Sequence, residues 1–274
     1  MIDILLSTYN GAPYLAQQLD SILAQTVSDW RLLVRDDGST DGTKAILDDY
    51  ARRYPERIRL MESDGNAGCV RSFERLLAAA EADYICFADQ DDVWLENKLA
   101  HLMATMKEAE TSVQDRPIVV CSDLQVVTED LAMIDPSFWH YVRLRPDLLQ
   151  TPNRLAVCNY VTGCAMLFNR AARDASLPFP PQAYMHDAVV ALATLAKGGV
   201  IRICEHRDIL YRQHSENVLG AVQVKYGWQY VWRKIMSVSS VLRRQRVNYR
   251  QAHAVMGIGP LAFMYNRIVY LLCR

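Results

Sequence analysis

The sequence predicts an α/β fold with a doubly wound, mainly parallel sheet and helices on both of its faces. In the first part of the chain, short apolar segments typical of buried strands alternate with amphipathic segments typical of helices. Strands separated by helices of about 10–15 residues indicate a parallel sheet covered on both sides. Polar clusters follow three of these strands, where such sheets bind ligands. The predicted strands are Ile2–Thr8, Arg31–Asp36, Ile58–Met61, Tyr84–Ala88 and Ile118–Asp123.

Each intervening helix is predicted from apolar residues spaced three or four positions apart, which fall on one helical face. Asn10-Gly11 ends the first strand, and the first helix begins near Pro13, because proline is favoured in the first helical turn. Representative apolar positions of the four helices are Leu15 and Leu19, Leu47 and Tyr50, Phe73 and Leu77, and Leu102 and Met106.

The pattern after the fifth strand is less regular. Val161–Phe168 and Ile209–Arg212 are predicted strands, and Tyr184–Lys197 is predicted to be a buried helix because it is apolar nearly all round. No continuous apolar run reaches the roughly 18 residues of a membrane-spanning helix. We also find no export signal at the start. The seven cysteines are scattered and form no CxxC pair, so we interpret them as reduced thiols of a cytoplasmic protein.

The charge is distributed unevenly along the chain. The formal net charge is -1, which gives no indication of nucleic-acid binding. Residues 222–274, however, contain nine Lys and Arg and no Asp or Glu. This segment is predicted to be helical, and it either contacts a membrane surface or a second copy of the chain, or packs on the body with solvated arginines outside. Its basic and aromatic residues include Lys225, Trp228, Tyr230, Trp232, Arg233, Lys234, Arg243, Arg244, Arg246 and Arg250.

Polar residues at the strand ends are the main functional signal. Ser7–Asn10, Asp36–Asp41 and Asp89–Asp92 all follow predicted strands, so they are expected at one edge of the sheet. Several carboxylates within one turn repel each other unless a divalent cation lies among them, and oxygen ligands of this kind suit Mg²⁺ or Mn²⁺ with nucleotide phosphates. The alternative is an Asp-rich surface turn.

The segment Asp36–Gly42 admits two interpretations as well. An aspartate at a strand end can accept a hydrogen bond from a pyrimidine imide, and glycines allow close backbone approach. The same residues could simply form a strand-to-helix turn in which Thr40 or Asp41 caps the next helix.

Three motifs together resemble the inverting family-2 glycosyltransferases of the GT-A fold. They are Ser7-Thr8-Tyr9-Asn10-Gly11, Asp36-Asp37-Gly38-Ser39-Thr40-Asp41-Gly42-Thr43 and Phe87-Ala88-Asp89-Gln90-Asp91-Asp92-Val93-Trp94. The resemblance implies transfer of a sugar from a nucleotide-sugar donor with the help of Mg²⁺ or Mn²⁺. It further implies that Ser7, Thr8 and Tyr9 line the base pocket, that Asp37 contacts the base, that Asp89 lies near the ribose and pyrophosphate, and that Asp91 binds the metal.

Two later motifs extend this resemblance. Met185-His186-Asp187 is similar to the acidic motif that supplies the catalytic base, which implies this role for Asp187, although His186 stands where the family usually has Glu. The alternative is an acid that only stabilises a helix N-terminus. Residues 211–218 resemble a motif of the rhamnosyltransferase-like branch, which implies metal ligation by His214 and phosphate contact by Arg212, against a purely structural role. Gly163 suggests backbone close to the acceptor.

The resemblance also implies a division of the chain and a set of partners. Residues 1–221 would form the catalytic domain, with a nucleotide-sugar-binding half at 1–115 and an acceptor-binding half at 116–221, followed by the basic extension 222–274. The donor would be a dTDP- or UDP-linked sugar such as rhamnose. The acceptor would be a saccharide or lipid-linked saccharide of bacterial surface polysaccharide synthesis, reached from the cytoplasm or the inner membrane face.

Alternative functions are a sugar nucleotidyltransferase and a catalytically degenerate binding subunit. The first should carry a glycine-rich phosphate loop after strand one, where Tyr9-Asn10-Gly11 offers a single glycine. The second would lack the acidic residues that this chain has at 91 and 187.

Overall fold

The computed structural model describes residues 1–214 and 238–273. The strands are β1 Ile2–Thr8, β2 Trp30–Asp36, β3 Ile58–Leu60, β4 Tyr84–Ala88, β5 Val93–Trp94, β6 Ile118–Ser122, β7 Gln125–Val127, β8 Met133–Asp135, β9 Met166–Asn169, β10 Val200–Cys204 and β11 Ile209–Arg212. The helices are α1 Ala12–Leu23, α2 Thr43–Arg53, α3 Cys69–Ala79, α4 Lys98–Ser112, α5 Phe138–Tyr141, α6 Pro152–Leu155, α7 Arg170–Ser176, α8 His186–Ala196, α9 Val238–Met256 and α10 Pro260–Cys273.

A seven-stranded sheet with the order β10-β6-β9-β4-β1-β2-β3 forms the centre of the molecule. Neighbouring strands are parallel except at β9, which runs antiparallel to both β4 and β6. The predicted mainly parallel α/β sheet is therefore confirmed. A second sheet with the order β5-β11-β7-β8 lies beside it and was not predicted.

The chain before β9 differs from the predicted strand Val161–Phe168. Gly163–Ala165 forms a 3₁₀ turn, and the strand begins only at Met166. A Cβ atom on Gly163 would lie 2.7 Å from Nε2 of His186, so the backbone here packs tightly against the start of α8. This contact between distant residues explains the turn, which the local apolar pattern does not reveal.

Two apolar layers cover the central sheet, as its alternating side chains require. Leu5 and Phe87 face the layer to which α3, α7 and α8 contribute. Ile4 and Leu6 face the opposite layer, formed mainly with α1, α2 and α4. Helices on both faces follow from strands that are buried on both sides.

The register of the sheet positions the polar clusters. Thr8 at the end of β1 pairs with Asp36 at the end of β2, and Leu6 pairs with Ala88 at the end of β4. Because the three strands are parallel and end together, the segments that follow them begin at a common edge.

The C-terminal segment is helical where it is described. Helix α9 packs against α8 and α10 packs against α6, and Phe263 and Tyr270 of α10 are buried. The proposed boundary between residues 221 and 222, and the cluster Lys225, Trp228, Tyr230, Trp232, Arg233 and Lys234, lie outside the described residues. None of the described helices is long and apolar enough to cross a membrane.

Candidate active site

The segment after β1 is tied to the acidic segment after β4 by one glutamine. Gln90 Oε1 accepts from the backbone N–H of Tyr9 at 2.9 Å, and Gln90 Nε2 donates to the Tyr9 carbonyl at 3.0 Å. A side chain at Gly11 would clash with this carboxamide, which explains the glycine there. The Tyr9 ring is half exposed at the edge of the sheet. Two predicted binding segments are thus fixed to each other by paired hydrogen bonds.

The two other predicted residues of the base pocket lie beneath this edge. Thr8 is buried, and its Oγ1 donates to Asp36 Oδ1 at 3.1 Å. The hydroxyl of Ser7 donates to Ser72 Oγ of α3 at 2.6 Å. These bonds connect β1 to the end of β2 and to α3. Contact with a base by Ser7 and Thr8 stays a prediction.

Asp37 is buried and holds the loop before α3 in place. Its carboxylate oxygens accept from the backbone N–H groups of Ala67 and Gly68, each at 2.8 Å. The guanidinium of Arg35, itself buried, donates to Asp37 Oδ1 and compensates its charge. Sequence reasoning did not identify Arg35, because its partners Asp37 and Asp64 come together only in the fold. Contact of Asp37 with a base stays a prediction.

Asp89 and Asp92 crowd around Cys164 at the end of β4. One potential ligand atom from each of the three lies within 4.8 Å of the others. Burial, and then the negative charges of Asp91 and Asp187, raises the pKa of Asp89 to about 7. Burial and the charges of Asp91 and Asp89 raise the pKa of Asp92 well above its usual range, and its Oδ2 is buried without a hydrogen-bond partner among the described residues.

A buried cation lies below these carboxylates. Lys98 Nζ donates to the carbonyl of Cys164 at 2.7 Å and lies 3.0 Å from the centre of the Trp94 ring. Burial lowers the pKa of Lys98, and the nearby Asp92 and Asp89 act in the opposite direction. Neither Lys98 nor Cys164 was predicted as part of the site, since a lysine in an amphipathic helix normally faces solvent.

Asp91 and His214 meet although 123 residues separate them. His214 Nε2 lies 2.9 Å from Asp91 Oδ2, and the His214 ring packs on Tyr14 with 4.5 Å between centroids. Two ligands at about 2.1 Å on neighbouring octahedral positions would be about 3 Å apart. The spacing fits two ligands of one divalent cation, and the carboxylate oxygen of Asp91 suits a hard ion such as Mg²⁺ or Mn²⁺.

Arg212 is hydrogen-bonded to the backbone of Asp91 in this pair. Its Nε donates to the carbonyl of Asp91 at 2.8 Å, and its other two nitrogens donate to the carbonyl of Glu129 and to Gln17 Oε1. The side chain is buried and lies over the Tyr14 ring. These contacts position Asp91, and the contact of Arg212 with phosphate stays a prediction.

Asp187 lies at the start of α8 with its carboxylate buried. Oδ2 accepts from the N–H of Gly163 at 3.1 Å and Oδ1 from the N–H of Ala188 at 2.5 Å. Burial raises the pKa of Asp187 to about 6 despite these bonds. A carboxylate of this kind is poised to exchange a proton near neutral pH.

The neighbouring His186 has a structural role. Its ring stacks on Phe73 with 4.0 Å between centroids and meets the edge of Phe87. Both ring nitrogens are buried without a hydrogen-bond partner among the described residues, and burial lowers the pKa to about 3. A pKa this low makes His186 too weak a base to hold a proton at physiological pH, which leaves Asp187 as the candidate base of this dipeptide.

The charges of three predicted residues act on one cysteine. Cys69, the first residue of α3, keeps part of its surface exposed. Desolvation, followed by the charges of Asp89, Asp187 and Asp37, raises the pKa of its thiol to about 12. A geometric link agrees for two of them, because Asp187 accepts from the N–H of Gly163 and the next residue, Cys164, lies in the cluster with Asp89.

The C-terminal extension contributes a brace for the segment before Asp187. Gln251 of α9 is buried, and its Oε1 accepts from the backbone N–H groups of Tyr184 at 2.5 Å and Met185 at 2.9 Å. These bonds satisfy donors just before α8 that would otherwise be unpaired. No local signal in the sequence indicates this contact.

Comparison with known proteins identifies the family. The family model described as Glycosyl transferase family 2 matches residues 3–175. The chain belongs to this family. The uncharacterized glycosyltransferase alr2836 of Nostoc is 28% identical over 222 residues, which are 79% of this chain and 66% of that protein. The dTDP-rhamnosyl transferase RfbG of Shigella flexneri is 37% identical over 98 residues, or 34% of each chain. The family-2 chain thus spans about two thirds or less of these relatives.

A solved structure agrees with the architecture. The mannosyltransferase PcManGT from Pyrobaculum calidifontis, in complex with GDP-Man and Mn²⁺, aligns with a TM-score of 0.58 at 19% identity, over 99% of this chain and 74% of that one. The predicted GT-A fold is thereby confirmed.

Proposed function

We propose that this family-2 chain transfers a sugar from a nucleotide-sugar donor to an acceptor hydroxyl and inverts the anomeric carbon. The observation that carries the proposal is the buried carboxylate of Asp187, which accepts from the N–H of Gly163, the residue before the Cys164 that lies in one cluster with Asp89. The proposed base thus lies close to Asp89, which is proposed to face the donor. Membership of the family agrees with this reaction.

In the proposed reaction, Asp187 accepts the proton of the attacking hydroxyl. The backbone N–H groups of Gly163 and Ala188 hold its carboxylate in one orientation, so that it meets the acceptor without reorganising. A positioned base of this type contributes about 10²–10⁴-fold to the rate. The direct displacement breaks the bond between the anomeric carbon and the nucleoside diphosphate while the acceptor oxygen forms the new bond.

The donor is held by the segments after β1, β2 and β4. We propose that Tyr9 packs against the base, that Ser7, Thr8 and Asp37 shape its pocket, and that Asp89 faces the ribose and diphosphate. Asp91 and His214 would hold Mg²⁺ or Mn²⁺, which when bound supplies positive charge to the leaving diphosphate. Arg212 then holds Asp91 in place through its hydrogen bond to the Asp91 carbonyl.

The proposed donor and acceptor are more specific than membership of the family implies. We propose a dTDP- or UDP-linked deoxyhexose such as rhamnose as the donor, because the dTDP-rhamnosyl transferase RfbG is 37% identical to this chain over 98 residues. The acceptor would be a saccharide or lipid-linked saccharide in bacterial surface polysaccharide synthesis. The catalytic division into 1–115 and 116–221 is part of the same proposal.

The test is donor turnover by the full chain. The protein is incubated with a panel of nucleotide sugars and saccharide acceptors, with Mn²⁺ or EDTA, and product anomers are assigned by NMR. We expect metal-dependent release of nucleoside diphosphate and an inverted product. Asp187→Asn should lose transfer, whereas Asp174→Asn, on the exposed side of α7, should not. Equal turnover by both variants would overturn the proposed role of Asp187.

A further inference from the structure

Helix α10 exposes a continuous apolar face. The exposed side chains recur at the three- and four-residue spacing of one helical face. Leu261 and Leu272 are 82% and 80% exposed, and Ile268 between them is 54% exposed. On the opposite side Phe263 and Tyr270 are buried in the body of the protein. The large apolar residues exposed on this helix are Leu261, Met264, Tyr265, Ile268, Leu271 and Leu272.

A continuous row of exposed apolar side chains is typical of an interaction surface. The helix has 14 residues and is therefore about 21 Å long, shorter than the roughly 30 Å core of a bilayer. Such a helix can lie in the plane of a membrane interface, with one face among the acyl chains and the other against the protein.

The charge of the preceding helix, α9, indicates what covers this face. Helix α9 joins α10 in a hairpin in which the rings of Tyr249 and Phe263 are in contact, with 5.4 Å between centroids. Exposed arginines lie along α9, and residues 238–273 contain no Asp or Glu. The exposed arginines are Arg243, Arg244, Arg246 and Arg250.

The arginines favour a lipid surface over a second copy of the chain. A twofold contact through α10 would bring the same hairpin from both copies together, and neither hairpin supplies a carboxylate to pair with the arginines. Anionic lipid headgroups do supply such partners, while their acyl chains cover the leucines. Both properties of the hairpin are thus matched by one occupant.

We infer that the exposed face of α10 docks on an anionic lipid bilayer, with the arginines of α9 at the headgroups. Docking itself does not depend on sugar transfer. It bears on the proposed function because Gln251 ties α9 to the segment before Asp187, so the docking hairpin and the proposed base belong to one packed unit. A bilayer-anchored acceptor would then be presented beside the site.

The inference is tested by co-sedimentation of the full chain with vesicles of phosphatidylcholine alone or mixed with phosphatidylglycerol. We expect binding only to the mixed vesicles. Ile268→Glu should weaken binding by about tenfold or more, because it replaces an exposed apolar side chain, which would enter the acyl chains, with a charged one. Met133→Glu on β8 is a matched control, since Met133 is 53% exposed, and it should bind as the wild type does.

The arginines provide an independent variant. Neutralising Arg243 and Arg244 together with glutamine should weaken binding about fivefold for each charge removed, and circular dichroism should show an unchanged fold. Transfer to a soluble acceptor should be the same in Ile268→Glu and wild type, which separates failure of docking from failure of the proposed reaction.

Three results would overturn the inference. The first is equal sedimentation of wild type and Ile268→Glu. The second is equal binding to neutral and anionic vesicles. The third is a stable wild-type dimer that fails to bind vesicles and that Ile268→Glu separates into monomers, which would assign the face to a second copy of the chain.

Discussion

Replacement of Asp187 by asparagine should separate catalysis from donor binding. The carboxylate is 6% exposed and accepts hydrogen bonds from Gly163 and Ala188. Asparagine keeps the shape but cannot take a proton, so transfer should fall by about 10²–10⁴-fold. Donor affinity should change little, because the side chain is proposed to face the acceptor hydroxyl.

The same substitution should change how stability depends on pH. The pKa of Asp187 is raised from 3.8 to about 6 in the folded protein. The folded state therefore holds the proton more tightly than the unfolded state, and this contribution is present below pH 3.8 and lost as the pH rises to about 6. A shift of about two pKa units corresponds to about 3 kcal/mol in total, of which about 2 kcal/mol falls between pH 4 and pH 7.

The assay is urea unfolding of wild type and Asp187→Asn, followed by tryptophan fluorescence at several pH values in EDTA. Relative to wild type, the free energy of unfolding of the variant should improve by about 2 kcal/mol from pH 4 to pH 7. Asparagine is a poorer hydrogen-bond partner for Gly163 or Ala188, and this lowers the free energy of unfolding by the same amount at every pH. Comparing how the free energy of unfolding changes with pH in the two proteins therefore removes this contribution. In wild type, kcat/KM should also fall about tenfold per pH unit below pH 6. Parallel stability curves for the two proteins would refute the reasoning about Asp187.

Three further predictions concern the parts that hold the site together. Asp91→Ala should weaken Mn²⁺-dependent nucleotide binding by about tenfold or more in calorimetry and leave binding in EDTA unchanged. Arg35→Met should lower the free energy of unfolding by about 3–5 kcal/mol, because it leaves Asp37 buried without its cation, whereas exposed Arg52→Met should change it by less than about 0.5 kcal/mol in urea titrations. Gln251→Leu should lower kcat with little change in the donor KM, and Gln251→Glu, which still accepts hydrogen bonds, should restore it; a loss in both variants would argue against the brace.

The sequence predicts those parts of the fold that local patterns specify. Strands β1, β2 and β4 are apolar runs that end in polar segments, and the structure gives them nearly the predicted bounds. The direction of a strand relative to its neighbours is not predicted in this way, because an apolar run has the same pattern in a parallel and in an antiparallel strand. The antiparallel β9 and the turn at Gly163 depend on packing against His186 and were therefore not predicted.

The candidate site shows the same division. Aspartates at strand ends stand out in the sequence because their positions follow from the strands. Residues that support them come from other elements, such as Cys164 and Lys98 beside Asp92, and look ordinary in their own segments. Gln251 supports Asp187 from a helix 64 residues away along the chain (251 − 187). Only the folded arrangement reveals such pairs.

Aspartates from distant segments are proposed to form one binding site, which takes a divalent cation and a nucleoside diphosphate together. The most direct measurement is an anomalous difference map from crystals grown with a nucleoside diphosphate and Mn²⁺. We expect a peak for a manganese ion bound by Asp91, with the diphosphate bound to the same ion beside Asp89. A peak at the separate cluster of His101, His206 and Asp208 with none at Asp91, or a nucleotide bound away from Asp37, would contradict it.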